Sequence, residues 1–269
     1  MSSLQRIVKY IAIAFALFLA FSIISGIMSG ILLVGNIFGN HKDNSIIENA
    51  KVIEISDNIL SLDVQLNSSN IVIKKGEKFK VETNNTSISW GQDNQKLTVT
   101  DKNSFWFDED DSKVIIYIPE DKVLDSTYIV SGAGKLEISD LTIKDLKLEL
   151  GAGKVNIYKL NVINETEIDG GAGEVIIEDS SFSNLDLSMG IGNFSLKASL
   201  FGDSKIDHGV GNADVYLLGS NDDYQIHVDK GIGSVIVDGN KVTSDTVIGN
   251  GSRSIDIDGG IGNIKIDFE

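Results

Sequence analysis

SGAGKLEISDLTIKDLKLELGAGKVNIYKL, residues Ser131–Leu160, contains two consecutive copies of one pattern. A Gly-Ala-Gly triplet opens each copy, and apolar residues then alternate with polar ones. Alternation with a period of two predicts strands with one buried and one exposed face. Glycine tolerates positive φ and close backbone approach, so the triplets predict tight corners between strands.

The Gly-x-Gly triplet returns along the rest of the chain every 19 to 22 residues and once after 29. A fixed period of this size indicates stacked repeats, each one supersecondary unit. We therefore predict an all-β fold, a parallel β-solenoid (β-helix) with turns of about 19–22 residues. Antiparallel hairpins in a β-sandwich are the main alternative. The predicted structural turns are Gly132, Gly134, Gly151, Gly153, Gly171, Gly173, Gly190, Gly192, Gly209, Gly211, Gly231, Gly233, Gly260 and Gly262.

An apolar run at the N-terminus, Ile11 to Val34, contains no ionisable side chain. As a helix it would be about 36 Å long, enough to cross the roughly 30 Å hydrocarbon core of a bilayer. The fold prediction therefore places one transmembrane helix at residues 10–35, before the solenoid. A cleaved signal peptide is the alternative, but the run is too long and no convincing cleavage site follows it.

Basic residues precede this run, namely Arg6 and Lys9. The positive-inside rule then predicts a single-pass protein of the cell membrane, with a cytoplasmic N-terminus and an extracytoplasmic C-terminal domain. Small residues recur every four positions within the run, which predicts close helix packing and a homodimer formed through this helix. These helix-packing candidates are Ser22, Gly26 and Gly30.

The sequence divides into five segments by composition and periodicity. They are a cytoplasmic N-terminus (1–9), the transmembrane helix (10–35), a polar tether (36–46), an irregular β region with an N-terminal cap (47–130) and the Gly-x-Gly repeats (131–269). The final strand, Ile264–Glu269, has no obvious cap. Its alternating charges would either block edge pairing or leave an edge that receives a partner strand.

The formal net charge of the chain is -16, and it contains no cysteine. Residues 1–40 hold two of the 23 basic residues and no acidic residue, so the remainder carries 21 basic and 39 acidic groups, or -18. Such a surface repels phosphates, which disfavours nucleic-acid binding. The absence of cysteine excludes disulfides, thiolate metal sites and a cysteine nucleophile.

No motif in the chain identifies a reaction, a cofactor or a metal. Calcium-binding β-rolls need an aspartate at the sixth position of Gly-Gly-x-Gly-x-Asp, and Val175 and Ile264 stand there instead. The acidic run Asp108–Asp111 offers ligands for a hard cation, but its spacing is not that of an EF-hand and a solvated loop is favoured. His208 and His227 are expected at the surface. We therefore predict no catalytic, cofactor-binding or metal-binding residue.

Two aromatic residues next to the acidic run, together with Trp90, suggest two further roles. Trp90, Trp106 and Phe107 could form a carbohydrate platform, but a cap over the open end of the solenoid is favoured because it would cover unpaired strand edges.

The segment VIIYIPED, Val114–Asp121, followed by Ser131–Leu160, resembles a bacterial family of β-strand repeats described as candidate adhesins with a domain of unknown function. In that family a Tyr-x-Pro strand precedes repeats of the form Gly-x-Gly-x-Val/Ile-x-Ile/Leu. The resemblance covers roughly residues 50–269 and is weaker at Phe194, Ala213 and residues 231–259. It implies a cell-envelope protein with a solenoid-like domain, and it supplies no catalytic residues.

Three functions remain open from the sequence. The favoured one is a membrane-anchored extracytoplasmic solenoid that is not an enzyme and acts by interaction with a membrane protein or an envelope polymer, as an accessory of envelope-stress systems. The second is a surface adhesin that binds glycan or protein. The third, an envelope polysaccharide hydrolase or lyase, is disfavoured, because carboxylate pairs occur by chance among 39 acidic residues.

Overall fold

The computed structural model describes residue 47 and residues 50–101, 112–243 and 245–269. The chain divides into two compact units, Met1–Ile46 and Ile47–Glu269, and the description covers the second. This unit is built from strands in which buried and exposed residues mostly alternate. They are β1 Lys51–Glu54, β2 Ser61–Leu66, β3 Asn70–Gly76, β4 Lys80–Thr83, β5 Ile88–Asp93, β6 Lys96–Asp101, β7 Lys113–Pro119, β8 Val123–Ser139, β9 Thr142–Tyr158, β10 Asn161–Ser183, β11 Leu185–Phe201, β12 Asp203–Val210, β13 Ala213–Leu217, β14 Tyr224–Ile232, β15 Val235–Val237, β16 Asn240–Val242, β17 Thr246–Gly249, β18 Arg253–Ile261 and β19 Ile264–Phe268.

Parallel coils form the body of this unit. Each of β8 to β11 runs through a Gly-x-Gly corner and so contributes two arms, whereas other coils are made of two shorter strands such as β12 and β13. Equivalent residues of adjacent coils are in register, for example Ala133 beside Ala152 and Ala152 beside Ala172. Because every coil repeats the alternation of its neighbours, one continuous apolar core runs through the stack.

The order of the coils in space differs from their order along the chain at both ends. Pairing of the parallel strands gives the spatial order 96–101 with 113–119, then 61–76, 123–139, 142–158, 161–183, 185–201, 203–217, 253–268 and 224–237. The last coil in the sequence, 253–268, therefore lies between its two predecessors; we call it the inserted coil. The first coil, 61–76, is likewise enclosed between two others.

Two sequence insertions make room for the inserted coil. A 3-10 turn, Asn221–Asp223, capped by Ser220, carries the chain past the space that the inserted coil occupies. The segment 238–252, which contains β16 and β17, then leads back into that space. At the start of the inserted coil, the Arg253 guanidinium lies 4.4 Å from the Phe201 ring centroid and 5.3 Å from that of Tyr224, so it contacts coils on both sides.

Antiparallel strands cover both outermost coils. At one end β5 pairs with β6, and β4 pairs with β7. At the other end β17 pairs with β14, and β16 with β15. Short antiparallel strands of this kind occupy hydrogen-bonding groups that a parallel neighbour would otherwise use, which protects sheet edges from pairing with other chains.

Two sequence expectations need correction. The predicted fold class included a transmembrane helix before the solenoid, but the described residues are mostly strand and include no helix long and apolar enough to cross a membrane. The transmembrane helix is thus not part of the fold class that the structure supports, and its segment, 10–35, lies outside the described residues. The expectation that Ile264–Glu269 forms an uncapped edge is also wrong, because β19 pairs with β13 on one side and β15 on the other.

Candidate functional site

The predicted corner glycines stack on one another in two ladders along the solenoid. At Gly192, φ is 148°, and an added Cβ would overlap the carbonyl oxygen of Gly173 in the preceding coil. At Gly262, φ is 150°, and a Cβ would overlap the carbonyl oxygen of Gly211. Only glycine fits such positions, because both the backbone conformation and the contact exclude a side chain. The corners therefore bring neighbouring backbones as close as they can approach.

The residue between the two glycines points outward, and its size changes along the stack. Alanine occupies this place in the coils that contain β8, β9 and β10. In the next four coils in space it is a branched aliphatic residue, and the four are in register with one another. We call this set the aliphatic ridge: Ile191, Val210, Ile261 and Ile232. Ile232 is 73% exposed and Ile261 53%, so the ridge is a contiguous apolar surface.

An acidic row runs parallel to the ridge, three residues before it in each coil. It consists of Asp207, Asp258 and Asp229, which are in register in adjacent coils. Parallel strands lie about 4.8 Å apart, so the three carboxylates are close neighbours. Like charges directly opposite each other in a sheet are destabilising. Part of this repulsion is offset, since the Lys205 ammonium group lies 2.7 Å from Asp207.

A groove of about 710 Å³ is lined by the acidic row and by corner residues of four coils. The first glycines of four corners, which carry no side chain, form much of its floor: Gly190, Gly209, Gly260 and Gly231. Ser188, Met189, His208 and Lys230 also line it. The inserted coil contributes Asp258, Gly259 and Gly260 to this lining, so the groove depends on the swapped spatial order.

The electrostatics of the acidic row follow from its crowding. Partial burial raises the pKa of Asp258, and the nearby Asp207 and Asp229 carboxylates raise it further. The Lys205 ammonium group lies 2.7 Å from Asp207 and acts in the opposite direction on Asp258. Across residues 203–269, five Lys and Arg stand against twelve Asp and Glu, a formal charge of -7. The groove therefore lies in a strongly negative part of the molecule.

His208 corrects another expectation, because it is buried rather than at the surface. Its side chain is 4% exposed, and neither ring nitrogen makes a hydrogen bond of normal geometry among the described residues. Burial lowers the pKa of His208, and the backbone of Gly211 partly opposes that effect. His227, in contrast, is exposed and lies 3.1 Å from Asp245 and 3.3 Å from Asp256.

We expect replacement of His208 by Met, the residue at the equivalent position in the preceding coil, to reduce acid sensitivity. The folded pKa of His208 lies below the unfolded value of about 6.5, so between the two values the unfolded chain binds more protons and the free energy of unfolding falls as pH falls. One such group changes that free energy by at most about 1.4 kcal/mol per pH unit. Urea unfolding at pH 7.5 and 5.5 should show that the free energy of unfolding falls less on acidification in His208→Met than in the parent chain.

His227→Gln is the matched control, with the opposite sign. Hydrogen bonding to Asp245 raises the pKa of His227, so its stabilising contribution is present below about pH 6.5 and is lost as pH rises through the folded value. Replacing His227 should therefore enlarge the decrease in the free energy of unfolding between pH 7.5 and pH 5.5. If the free energy of unfolding of His208→Met depended on pH as it does in the parent chain, the lowered pKa of a buried His208 would be contradicted.

Several residues singled out in the sequence lie outside the described part of the chain. They are the acidic run Asp108–Asp111, its neighbours Trp106 and Phe107, and the helix-packing candidates Ser22, Gly26 and Gly30. Trp90 is described: it lies on β5, which covers one outermost coil, and it is 42% exposed. Among the described residues no group of three or more His, Asp or Glu side chains is arranged to hold a metal ion.

Solved structures that are similar to this chain come from several bacteria. One is a candidate cell adhesion protein from Clostridium sporogenes, with 15% identity, 82% of this chain and 99% of that chain covered, and a TM-score of 0.37. Another is a candidate adhesin from Bacteroides fragilis, with 12% identity, 81% and 95% coverage, and a TM-score of 0.46. A third is a candidate lipid-binding protein from Parabacteroides distasonis, with 15% identity, 80% and 96% coverage, and a TM-score of 0.39.

Comparison at the level of sequence gives the family. No curated protein matches the chain. The family model Toastrack DUF4097 matches residues 59–258, which include every Gly-x-Gly corner except the last and extend into the inserted coil. That match covers well over half of the chain and agrees with the resemblance carried by the Gly-x-Gly repeats and the Tyr-x-Pro strand. The chain therefore belongs to the Toastrack DUF4097 family.

Proposed function

We propose that this protein is a non-catalytic binding protein of the cell envelope, which presents the corner surface of its solenoid to a partner outside the cytoplasm. The observation that carries the proposal is the aliphatic ridge, where four adjacent coils hold branched aliphatic side chains outward. A contiguous exposed apolar surface bordered by polar residues is typical of an interaction site.

The stacked architecture supports the same function. Each coil is held by hydrogen bonds to its neighbours and by close glycine contacts, so outward side chains recur at a fixed spacing of about 4.8 Å. A partner that binds several coils at once meets a surface that needs little reordering, which favours binding. Descriptions of related structures as candidate adhesins agree with a surface protein that binds rather than catalyses.

A single labelling experiment in cells that make the protein tests both location and binding. The chain contains no cysteine, so one introduced thiol is the only target for a maleimide. We expect Ile232→Cys to react in intact cells with a membrane-impermeant maleimide that carries a photo-cross-linker, and irradiation to yield a discrete adduct.

Lys144→Cys is the control, since Lys144 is about half exposed and distant from the ridge in its coil. It should be labelled equally and give no adduct. Labelling of both variants only after cell disruption would contradict the extracytoplasmic location. Labelling of Ile232→Cys without any adduct would contradict binding at the ridge.

A further inference from the structure

We propose that the solenoid is a mechanical clamp, which bears tension applied through Ala50 and Glu269 without unravelling coil by coil. The inference goes beyond the proposed function and does not depend on what binds the aliphatic ridge. It follows from the places of the first coil and the inserted coil in the stack, and from the contacts at the outer end of each.

Stacked repeats ordinarily unravel from their ends. Each coil contacts only its neighbours, so an outermost coil is held on one side and the rest of the stack does not depend on it. In a solenoid whose coils follow chain order, the chain enters and leaves through these outermost coils. Tension on the chain would then detach one coil after another, and each step would break hydrogen bonds on one side only.

In this solenoid the chain instead enters and leaves through coils that have a neighbour on each side. The first coil, 61–76, pairs with β6 and β7 on one side and with β8 on the other. The inserted coil, 253–268, pairs with β12 and β13 on one side and with β14 and β15 on the other. Neither coil can leave the stack unless parallel hydrogen bonds break on both of its sides.

The N-terminal entry to the first coil is bonded to both flanking coils. In the described part of the chain β1 pairs only with β4, so tension would detach it first. Leu60 follows, where the N–H donates to the Gln95 carbonyl at 2.7 Å and the carbonyl accepts from the Asp125 N–H at 2.7 Å. Gln95 directly precedes β6 and Asp125 belongs to β8, so this one residue bonds to the coils on both sides.

The C-terminal end of the inserted coil is held from both sides as well. On one side the Glu269 N–H donates to the Leu217 carbonyl at 2.9 Å. The Glu269 carboxylate lies 2.6 Å from the Lys197 ammonium group, which belongs to the next coil on that side. On the other side the Phe268 ring lies 6.1 Å from the Tyr224 ring, measured between centroids. Tension at Glu269 is therefore shared by three other coils.

Enclosure increases the number of hydrogen bonds that oppose each step of extraction. The bonds of a parallel pair are evenly spaced, so a coil paired on two sides loses about twice as many per residue removed as a coil paired on one. The force at rupture should rise by about the same factor. A binding protein experiences such tension whenever its partner moves relative to the point at which the protein is held.

Single-molecule pulling on the purified full chain tests the clamp. The chain has no cysteine of its own, so two introduced cysteines define where the force acts. The first variant carries Ala50→Cys and a cysteine added after Glu269, so both loaded coils are enclosed. The matched control carries Ala50→Cys and Asn240→Cys, which loads the outermost coil, 224–237, instead. We expect the first variant to rupture at about twice the force of the control at one loading rate.

The control should lengthen in several small steps, and the first variant mainly in one large step. Urea unfolding of both variants should give the same free energy, which shows that the point of loading, and not stability, sets the force. Equal rupture forces would overturn the proposal, and so would coil-by-coil lengthening of the first variant.

Amide hydrogen exchange of the parent chain gives a second test that needs no substitution. Exchange reports local opening, which is ordinarily easiest near the ends of a chain. Because the inserted coil is held on both sides, amides in β18 and β19 should exchange about tenfold more slowly than those in β14 and β15, although they lie nearer to Glu269. Equal or faster exchange in β18 and β19 would overturn the clamp at this end of the solenoid.

Discussion

Replacement of Gly192 by alanine is expected to destabilise the protein by about 4 kcal/mol or more, or to prevent folding, because two independent costs combine. The first is conformational, since φ at this position is 148°, a region that side-chain-bearing residues rarely adopt. The second is steric, since the new methyl group would overlap the carbonyl oxygen of Gly173. Relief would require adjacent coils to separate, which breaks parallel hydrogen bonds on both arms of the corner.

Gly91→Ala is the control for adding a methyl group at a glycine. Gly91 lies on β5, has no atom within 4 Å of the added Cβ and is not among the residues with positive φ. We expect it to be neutral or to stabilise by about 0.4–1 kcal/mol, through the loss of unfolded-state entropy. Urea unfolding of the three chains measures the difference. Similar stabilities for Gly192→Ala and Gly91→Ala would contradict the stacked corners.

Local features of the fold could be predicted from the sequence because they depend on residues close together in the chain. Alternation in the segment Ser131–Leu160 indicates strands, and the recurring glycines indicate corners that admit no side chain. Stacking into an all-β solenoid follows from the constant period. The transmembrane helix that the same prediction placed before the solenoid is not supported, since the described residues include no helix long and apolar enough to cross a membrane.

The spatial order of the coils could not be predicted in this way, because every coil offers nearly the same edge to every other. Two of the intervals between Gly-x-Gly corners nevertheless indicated a change in the order of the coils. The intervals of 22 and 29 residues before the last two corners exceed the usual 19 or 20. The additional residues of the 22-residue interval form the 3-10 turn at Asn221–Asp223, and those of the 29-residue interval form the segment with β16 and β17.

The candidate site depends on that order and was therefore missed. Ile232 and Val210 are consecutive in the array along the chain, but Ile261 lies between them in space and completes the ridge. His208 was predicted at the surface, although its position in the alternation of buried and exposed residues along the strand indicated a buried side chain. It stands two residues after the buried Ile206 and at the place that the buried Met189 occupies in the preceding coil.

Paired cysteines are expected to reveal the position of the inserted coil with a large effect on stability. Asp214 and Lys265 are adjacent in register and on the outward face, at about 4.8 Å between strands, a separation that permits a disulfide. Closing a loop of roughly 50 residues should stabilise the oxidised chain by roughly 4 kcal/mol in the loop-entropy model. The chain has no cysteine of its own, so no other bond can form.

The decisive comparison is with the pair Asp214→Cys and Ile236→Cys. If coils stacked in chain order, Asp214 would lie beside Ile236, but the structure has both adjacent to Lys265 on opposite sides. Their separation of about 9.6 Å exceeds the range for a disulfide. After mild oxidation, thiol titration and urea unfolding measure the result. We expect the variant Asp214→Cys/Lys265→Cys to form its disulfide fully and to gain stability, and the variant Asp214→Cys/Ile236→Cys to stay reduced. The reverse result would contradict the inserted coil, and with it the groove and the ridge.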